Sequence, residues 1–484
     1  MGGLVLTPLL VPLATAILVL VAGDRAALRR VLSLGGALAL LGCTLALLVE
    51  VEGAGRVAVA LGDWPLPFAI ELAADRLGAS LALVTAILGV AVVLQQQSSA
   101  DPAPESPGLH ALIHGLLASV GAAFVTADLF NLYVWFELML VTALGLLAHG
   151  GAARHLDACL KYLALQVFGT LLLLLAIALV YGATGQLNLA ALAGAGGVPP
   201  VAVALLVIAF LIKAGAFPFF AWLPASYHTL PAPVLALFGG LLSKVGVYAV
   251  LRTLGDVYAG APALFYEALG WVAVVTMVAG VLGAAYHWDL RRILAFHVVS
   301  QVGYMLLGIA LASRAGVAAT LFFTLHNILA KAALLLIAGV AFRATGHHDL
   351  RRTGGLYAGR PLLAVLFLVS ALSLVGVPPL WGFWAKFSLV RELLLEGRYL
   401  WGATALAVSA LTLYSMAKIW LEAFWKPHPG GRDVGAPVPG LVPAYVGVSA
   451  LALAVLAVGL APEALLRLSE AAASSLRISG GSAP

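Results

Sequence analysis

The chain has 484 residues, 63% of them hydrophobic and only 10% charged, against roughly 45–50% apolar and about 25% charged in an ordinary soluble domain. This composition excludes a water-soluble fold and, at about 20 residues per bilayer-crossing helix, leaves room for about fourteen or fifteen spans. The net charge of +5 is small and comes from arginines at span ends, which reads as membrane topology rather than nucleic-acid binding.

Apolar runs separated by charged, Gly- or Pro-containing breaks predict helices at about 4–21, 31–50, 77–97, 108–126, 128–149, 158–182, 200–220, 232–252, 262–286, 291–312, 317–342, 361–394, 400–425 and 441–462. The first run has no positive residue before it and Asp24, Arg25, Arg29 and Arg30 after it, so it reads as a retained helix rather than a signal peptide. Between Arg56 and Asp75 a loose alternation around Gly62 and Asp63 predicts a short β-hairpin outside the bilayer. Beyond Pro462 only a short tail is expected. Connections on the side of the first loop carry about twelve Lys/Arg and the opposite side about eight, which places both termini outside.

Two spans are interrupted. Gly215, Pro218 and Pro224 break the seventh, and Gly376, Pro378 and Pro379 break the twelfth. Non-helical backbone at membrane depth is tolerated only where it is buried or lines water, so paired interruptions point to transport. Their separation fits an internal repeat of helices 4–8 on helices 9–13. The fold class is therefore an all-α polytopic membrane protein of about fourteen transmembrane helices with helices 7 and 12 discontinuous. The expected units are 1–107 with helices 1–3 and the hairpin, 108–252 and 262–425 as the two repeats, and 441–484 with helix 14 and the tail.

Lysine and arginine are segregated. Lys161, Lys213, Lys244, Lys331, Lys386 and Lys418 fall inside predicted spans and Lys426 just outside, while the arginines lie at span ends or in loops. Arginine stays charged under all protein conditions, whereas a lysine ammonium taken out of water can load and release a proton near neutral pH. Each buried lysine costs about 2.5–3.5 kcal/mol on insertion scales, so several in one chain argue for a function that needs them. Glu137 is the one carboxylate well inside a span. Beside Lys213 it would hold both groups charged, and separating the two would free the proton. His326 and Lys331 lie five apart on roughly adjacent helix faces, a spacing that could hand a proton along.

Other residues read more plainly. Lys418 with Glu422, and Asp157 with Lys161, have the spacing of helix-face ion pairs. His228 is placed at a proton entrance, and His110 with His114 has two-His metal spacing without a third ligand. His347 and His348 read as loop residues. Cys43 and Cys159 are far apart in apolar runs, so no cysteine-ligated cluster or zinc site can be assembled, and no phosphate-binding loop is present. No cofactor and no metal are expected.

The segments LFNLYVWFELML, LIKAGAFPFFAWLP, PAPVLALFGGLLSKVGVYAVLRTL, RRILAFHVVSQVGYM, LHNILAKAALLL and VPPLWGFWAKF resemble the signature segments of the proton-conducting antiporter-like family. That family comprises the large membrane subunits of respiratory complex I, of membrane-bound hydrogenases and of Mrp-type multisubunit cation/proton antiporters. The resemblance covers helices 3–13 and is strongest to the D-type branch of the Mrp antiporters. The M-type subunit of complex I usually carries glutamate where this chain has Lys386. The resemblance implies two inverted five-helix repeats and a bacterial plasma-membrane location. It implies Glu137 and Lys213 as the pair of the first half-channel, Lys244 as a link, His326 and Lys331 as a central relay, and Lys386 as the terminal lysine. It also implies partner subunits of an antiporter complex that exchanges protons for Na+ or another monovalent cation. A redox-driven pump and a purely structural membrane subunit are the alternatives.

Overall fold

The computed structural model describes residues 2–64, 68–98, 106–258 and 261–476. Among them, twelve helices are long and apolar enough to cross a membrane, and two shorter apolar helices, Pro200–Ala214 and Pro361–Val375, are the first halves of broken spans. In chain order, α1 (Thr7–Ala22) and α2 (Ala26–Ala54) lead into a hairpin of β1 (Arg56–Ala60) and β2 (Glu71–Asp75). These strands pair antiparallel, Arg56 opposite Asp75 and Ala60 opposite Glu71. The hairpin is thus as expected at both ends; residues 65–67 of its connection lie outside the described residues.

Next come α3 (Arg76–Gln97), α4 (Pro107–Val125), α5 (Leu129–Ala148), α6 (Ala153–Thr184), the short α7 (Leu189–Ala195), α8 (Pro200–Ala214), α9 (Trp222–Tyr227), α10 (Ala232–Leu237) and α11 (Ser243–Arg252). The second half holds α12 (Ala263–Tyr286), α13 (Leu290–Ala310), α14 (Arg314–Thr345), α15 (Leu356–Gly359), α16 (Pro361–Val375), α17 (Trp381–Leu395) and α18 (Tyr399–Ile419). The last elements among the described residues are α19 (Val442–Leu460) and α20 (Glu463–Ser474).

The two halves keep one register. Leu290 opens α13 161 residues after Leu129 opens α5, and the same interval separates Ala153 from Arg314 and Pro200 from Pro361 at the starts of α6 and α14, α8 and α16. Both α6 and α14 are 32 residues long. Short antiparallel bridges join Asp128 to Asn188 and Asp289 to Asp349, again at that interval. Five spans per repeat is an odd number, so the second copy runs through the membrane inverted.

The breaks follow from local chemistry. α8 ends at Gly215 (φ 74°) and α16 at Gly376 (φ 97°), left-handed positions that glycine adopts without a Cβ clash. Pro224 breaks nothing. It lies in the first turn of α9, where its missing N–H has no helical partner to lose.

Between α10 and α11 the helix continues through a wider π turn, Phe238–Leu242, and α18 ends in another, Trp420–Trp425. At the centre α14 is buried along nearly its whole length and touches α3, α10, α13, α16, α17, α19 and α20. Lipid gives helices little reason to associate, so small residues that allow close backbone approach do much of the packing. Gly246 is an instance: a Cβ there would lie 2.5 Å from the Ala214 nitrogen, so α11 is drawn against α8 beside Lys213. Within the expected short tail the described residues form an amphipathic helix. α20 packs on α14 and α3 on the hairpin side.

Candidate functional site

Lys213 is in the last turn of α8, where the helix dipole favours a cation. Its ammonium donates to the Gln166 carbonyl (2.9 Å) and to Thr170 Oγ1 (2.8 Å) on α6. The Thr170 hydroxyl in turn donates to Glu137 Oε1 on α5 at 2.7 Å. The expected Glu137–Lys213 contact is therefore made through a hydroxyl that accepts from the amine and donates to the carboxylate. The face of Phe136 lies 5.8 Å from the same ammonium.

One helix further in, Lys244 is fully buried on α11 and donates to the Gly239 carbonyl at 2.7 Å. The π turn has a direct use here, because it holds this carbonyl for the lysine. Gly239 abuts Leu335 of α14, one turn from Lys331. Lys331 is fully buried, and among the described residues its Nζ has no hydrogen-bond partner. A donor so placed is costly unless water satisfies it. His326, also on α14, contacts Ser373 Oγ through Nε2 at 2.9 Å, and that hydroxyl oxygen accepts from the Gly382 N–H across the second helix break.

Lys386 on α17 donates to the Val375 carbonyl, at the end of α16, and to Ser409 Oγ of α18, both at 2.9 Å. It lies 4.8 Å from the Tyr304 ring centroid. The Tyr304 hydroxyl must donate to the Ala405 carbonyl (2.6 Å), so its contact with Ser409 at 2.9 Å is one in which serine donates. The sequence alone did not single out Thr170, Ser373, Ser409 or Tyr304. A lone hydroxyl in an apolar run carries no pattern of its own.

The remaining candidates fall outside this file. Lys418 does not pair with Glu422. It donates to the Ala285 and His287 carbonyls, both at 2.7 Å, capping the end of α12, while Glu422 pairs with Lys426. The Lys418 amine is taken by the two carbonyls at the end of α12 and the Glu422 carboxylate by Lys426, so the expected pair does not form. Asp157 and Lys161 do form their ion pair at 2.5 Å on the outer surface. α6 is long enough, at about 48 Å against about 30 Å of hydrocarbon, to carry its first turns beyond the apolar slab.

His228, in the connection after α9, is fixed as one neutral tautomer. Its Nδ1–H donates to the Pro224 carbonyl (3.0 Å) and its Nε2 accepts from Arg292 (3.1 Å). Burial first, then the Arg292 charge, lowers its pKa. His110 and His114 both contact Ser33 Oγ, at 3.1 and 2.9 Å. His348 stacks on Phe342 at 4.1 Å, and burial, with Arg291 nearby, lowers its pKa to about 3.

Inverted five-span repeats, two broken helices and a file of buried amines at the breaks define a membrane transport module rather than a scaffold of apolar helices. A family model described as NADH:quinone oxidoreductase/Mrp antiporter, transmembrane, matches residues 126–412, and the chain belongs to that family. It is 38% identical over 431 residues to the D-type subunit of the Na+/H+ antiporter of Alkalihalophilus pseudofirmus, covering 88% of this chain and 87% of that protein. Against the D-type Na+/H+ antiporter protein of Bacillus subtilis, identity is 34% over 445 residues, 91% of this chain and 89% of that one. A chain in the structure of the Mrp complex from Dietzia sp. superposes with a TM-score of 0.90 at 31% identity, covering 99% of this chain and 98% of that one. A chain of respiratory complex I from Thermus thermophilus shares the fold, with a TM-score of 0.85 at 24% identity over 97% and 99% of the two chains.

Proposed function

We propose that this chain is the proton-translocating membrane subunit of a multisubunit Na+(cation)/proton antiporter of a bacterial plasma membrane, with both termini outside. Protons cross along Glu137, Lys213, Lys244, His326, Lys331 and Lys386. The units 108–252 and 262–425 act as two half-channels that meet at Lys331. Relatives named as Na+/H+ antiporter subunits, at 34–38% identity, favour this over a redox-driven pump. The chain is then a transporter subunit rather than an enzyme, and the cation crosses through a partner subunit.

The bridged triad carries the reading. A proton leaving Lys213 for Thr170 Oγ1 displaces the hydroxyl proton onto Glu137, so one concerted shift neutralises both charges and leaves the threonine intact. Movement of α8 at its Gly215 end lengthens the 2.8 Å contact and interrupts the shift. The driving force is adequate, since each charge moved through 100 mV is worth about 2.3 kcal/mol. Glu137→Ala, Lys213→Ala and Lys386→Ala are each expected to abolish cation/proton exchange in everted vesicles while the protein remains in the membrane. Wild-type exchange in all three refutes the assignment.

A further inference from the structure

The 161-residue register between the halves sets residues side by side. Gly376 corresponds to Gly215, Asn327 to Gln166 and Lys331 to Thr170. The first half therefore faces a carboxylate on α5 to a hydroxyl on α6, and the second half has an amine in the hydroxyl's place on α14. At the position of Glu137 itself, α13 carries Val298; one residue earlier, opposite Phe136, it carries His297. Phe136 is the residue whose ring faces Lys213 in the first half.

His297 has no exposed surface, and among the described residues neither ring nitrogen has a hydrogen-bond partner. Buried polar side chains are overwhelmingly hydrogen-bonded, so an imidazole with two orphan nitrogens calls for an explanation. Its surroundings supply one. His297, Gln301 and Tyr304, at intervals of four and three, lie along one face of α13. The Gln301 carbonyl oxygen accepts from Asn327 Nδ2 on α14 at 3.5 Å, and Tyr304 reaches Ser409, the partner of Lys386. Asn327 lies one turn before Lys331 on α14. The stripe thus runs beside the gap between the central lysine and the terminal one.

We propose that His297 is a proton-carrying group of the second half, passing protons between Lys331 and Lys386 where the first half uses the carboxylate of α5. One ring nitrogen takes a proton on the Lys331 side and the other releases one toward Tyr304 and Lys386, so the ring is neutral before and after each passage. This rests on the proton-translocation reading above and adds a carrier to it.

The test measures Na+-driven proton flux in everted vesicles, per assembled complex, for H297Q and H297F beside K386A. H297Q keeps a hydrogen-bonding side chain of similar reach but carries no proton. The expected result is a normally assembled H297Q complex with flux at least tenfold lower, and the same for H297F where it assembles. An assembled H297Q complex within fivefold of wild type overturns the proposal, as does failure of H297Q to assemble, which would make the residue structural. K386A separates the two levels of the argument. Silent K386A with active H297Q removes only His297, whereas wild-type flux from K386A removes the transport reading itself.

Discussion

Replacing Thr170 with valine deletes one oxygen and keeps the side chain's shape, so it isolates the bridge between Lys213 and Glu137. Two hydrogen bonds to charged partners are lost, at 2.8 and 2.7 Å, each worth about 1.5–3 kcal/mol. The charges still attract one another: at about 5 Å and an effective dielectric constant near 20, the Coulomb energy is about 3 kcal/mol. Lys213 also keeps the Gln166 carbonyl. The variant should therefore fold and assemble while losing its relay atom. If passage through the hydroxyl lowers the barrier by about 3 kcal/mol, flux falls by more than about a hundredfold. Thr170→Ser, which keeps the oxygen, should retain most of it. The assay is cation-driven quenching of a pH-sensitive dye in everted vesicles, normalised to assembled complex. Thr170→Val flux within twofold of wild type would refute the bridge.

Other substitutions probe the packing around the file. Lys418→Met removes the cap on the Ala285 and His287 carbonyls and should lower stability by about 1.5–3 kcal/mol, read as a drop in the thermal melting of the detergent-solubilised complex; an unchanged melt would show the cap is idle. Gly246→Ala places a Cβ 2.5 Å from the Ala214 nitrogen, pushing α11 away from α8 at a cost of about 1–3 kcal/mol, and should reduce both stability and flux. Arg292→Gln removes a nearby positive charge from His228, so the His228 pKa rises toward the ordinary histidine value. Histidine-selective NMR titration checks this, and an unmoved titration would contradict it.

The backbone plan was legible because it is written in coarse signals. Apolar runs marked the spans, Gly215 and Gly376 marked the breaks, and the confinement of arginine to span ends and loops made the buried lysines stand out. The hydroxyl partners were not legible, since Thr170 meets Glu137 and Lys213 from 33 and 43 residues away. Only the packing of α6 between α5 and α8 gives that threonine a role. Lys418 was misread for a similar reason: its partners are the Ala285 and His287 carbonyls of another helix, 133 and 131 residues away, which no spacing within its own helix reveals. The terminal helix α20 went unseen because it is short and carries charges at helical spacing, Glu463, Arg467 and Glu470, whereas the spans were found by apolar continuity alone.

Lys331 is where the two halves join. It is fully buried, with no group among the described residues to hold its ammonium, so a methionine of similar length should leave the fold intact or slightly firmer. Proton flux through the complex reconstituted in liposomes with Lys331→Met is accordingly the most direct test. The account predicts a normally assembled complex whose flux falls to that of protein-free liposomes. Undiminished flux would contradict a single route through both halves.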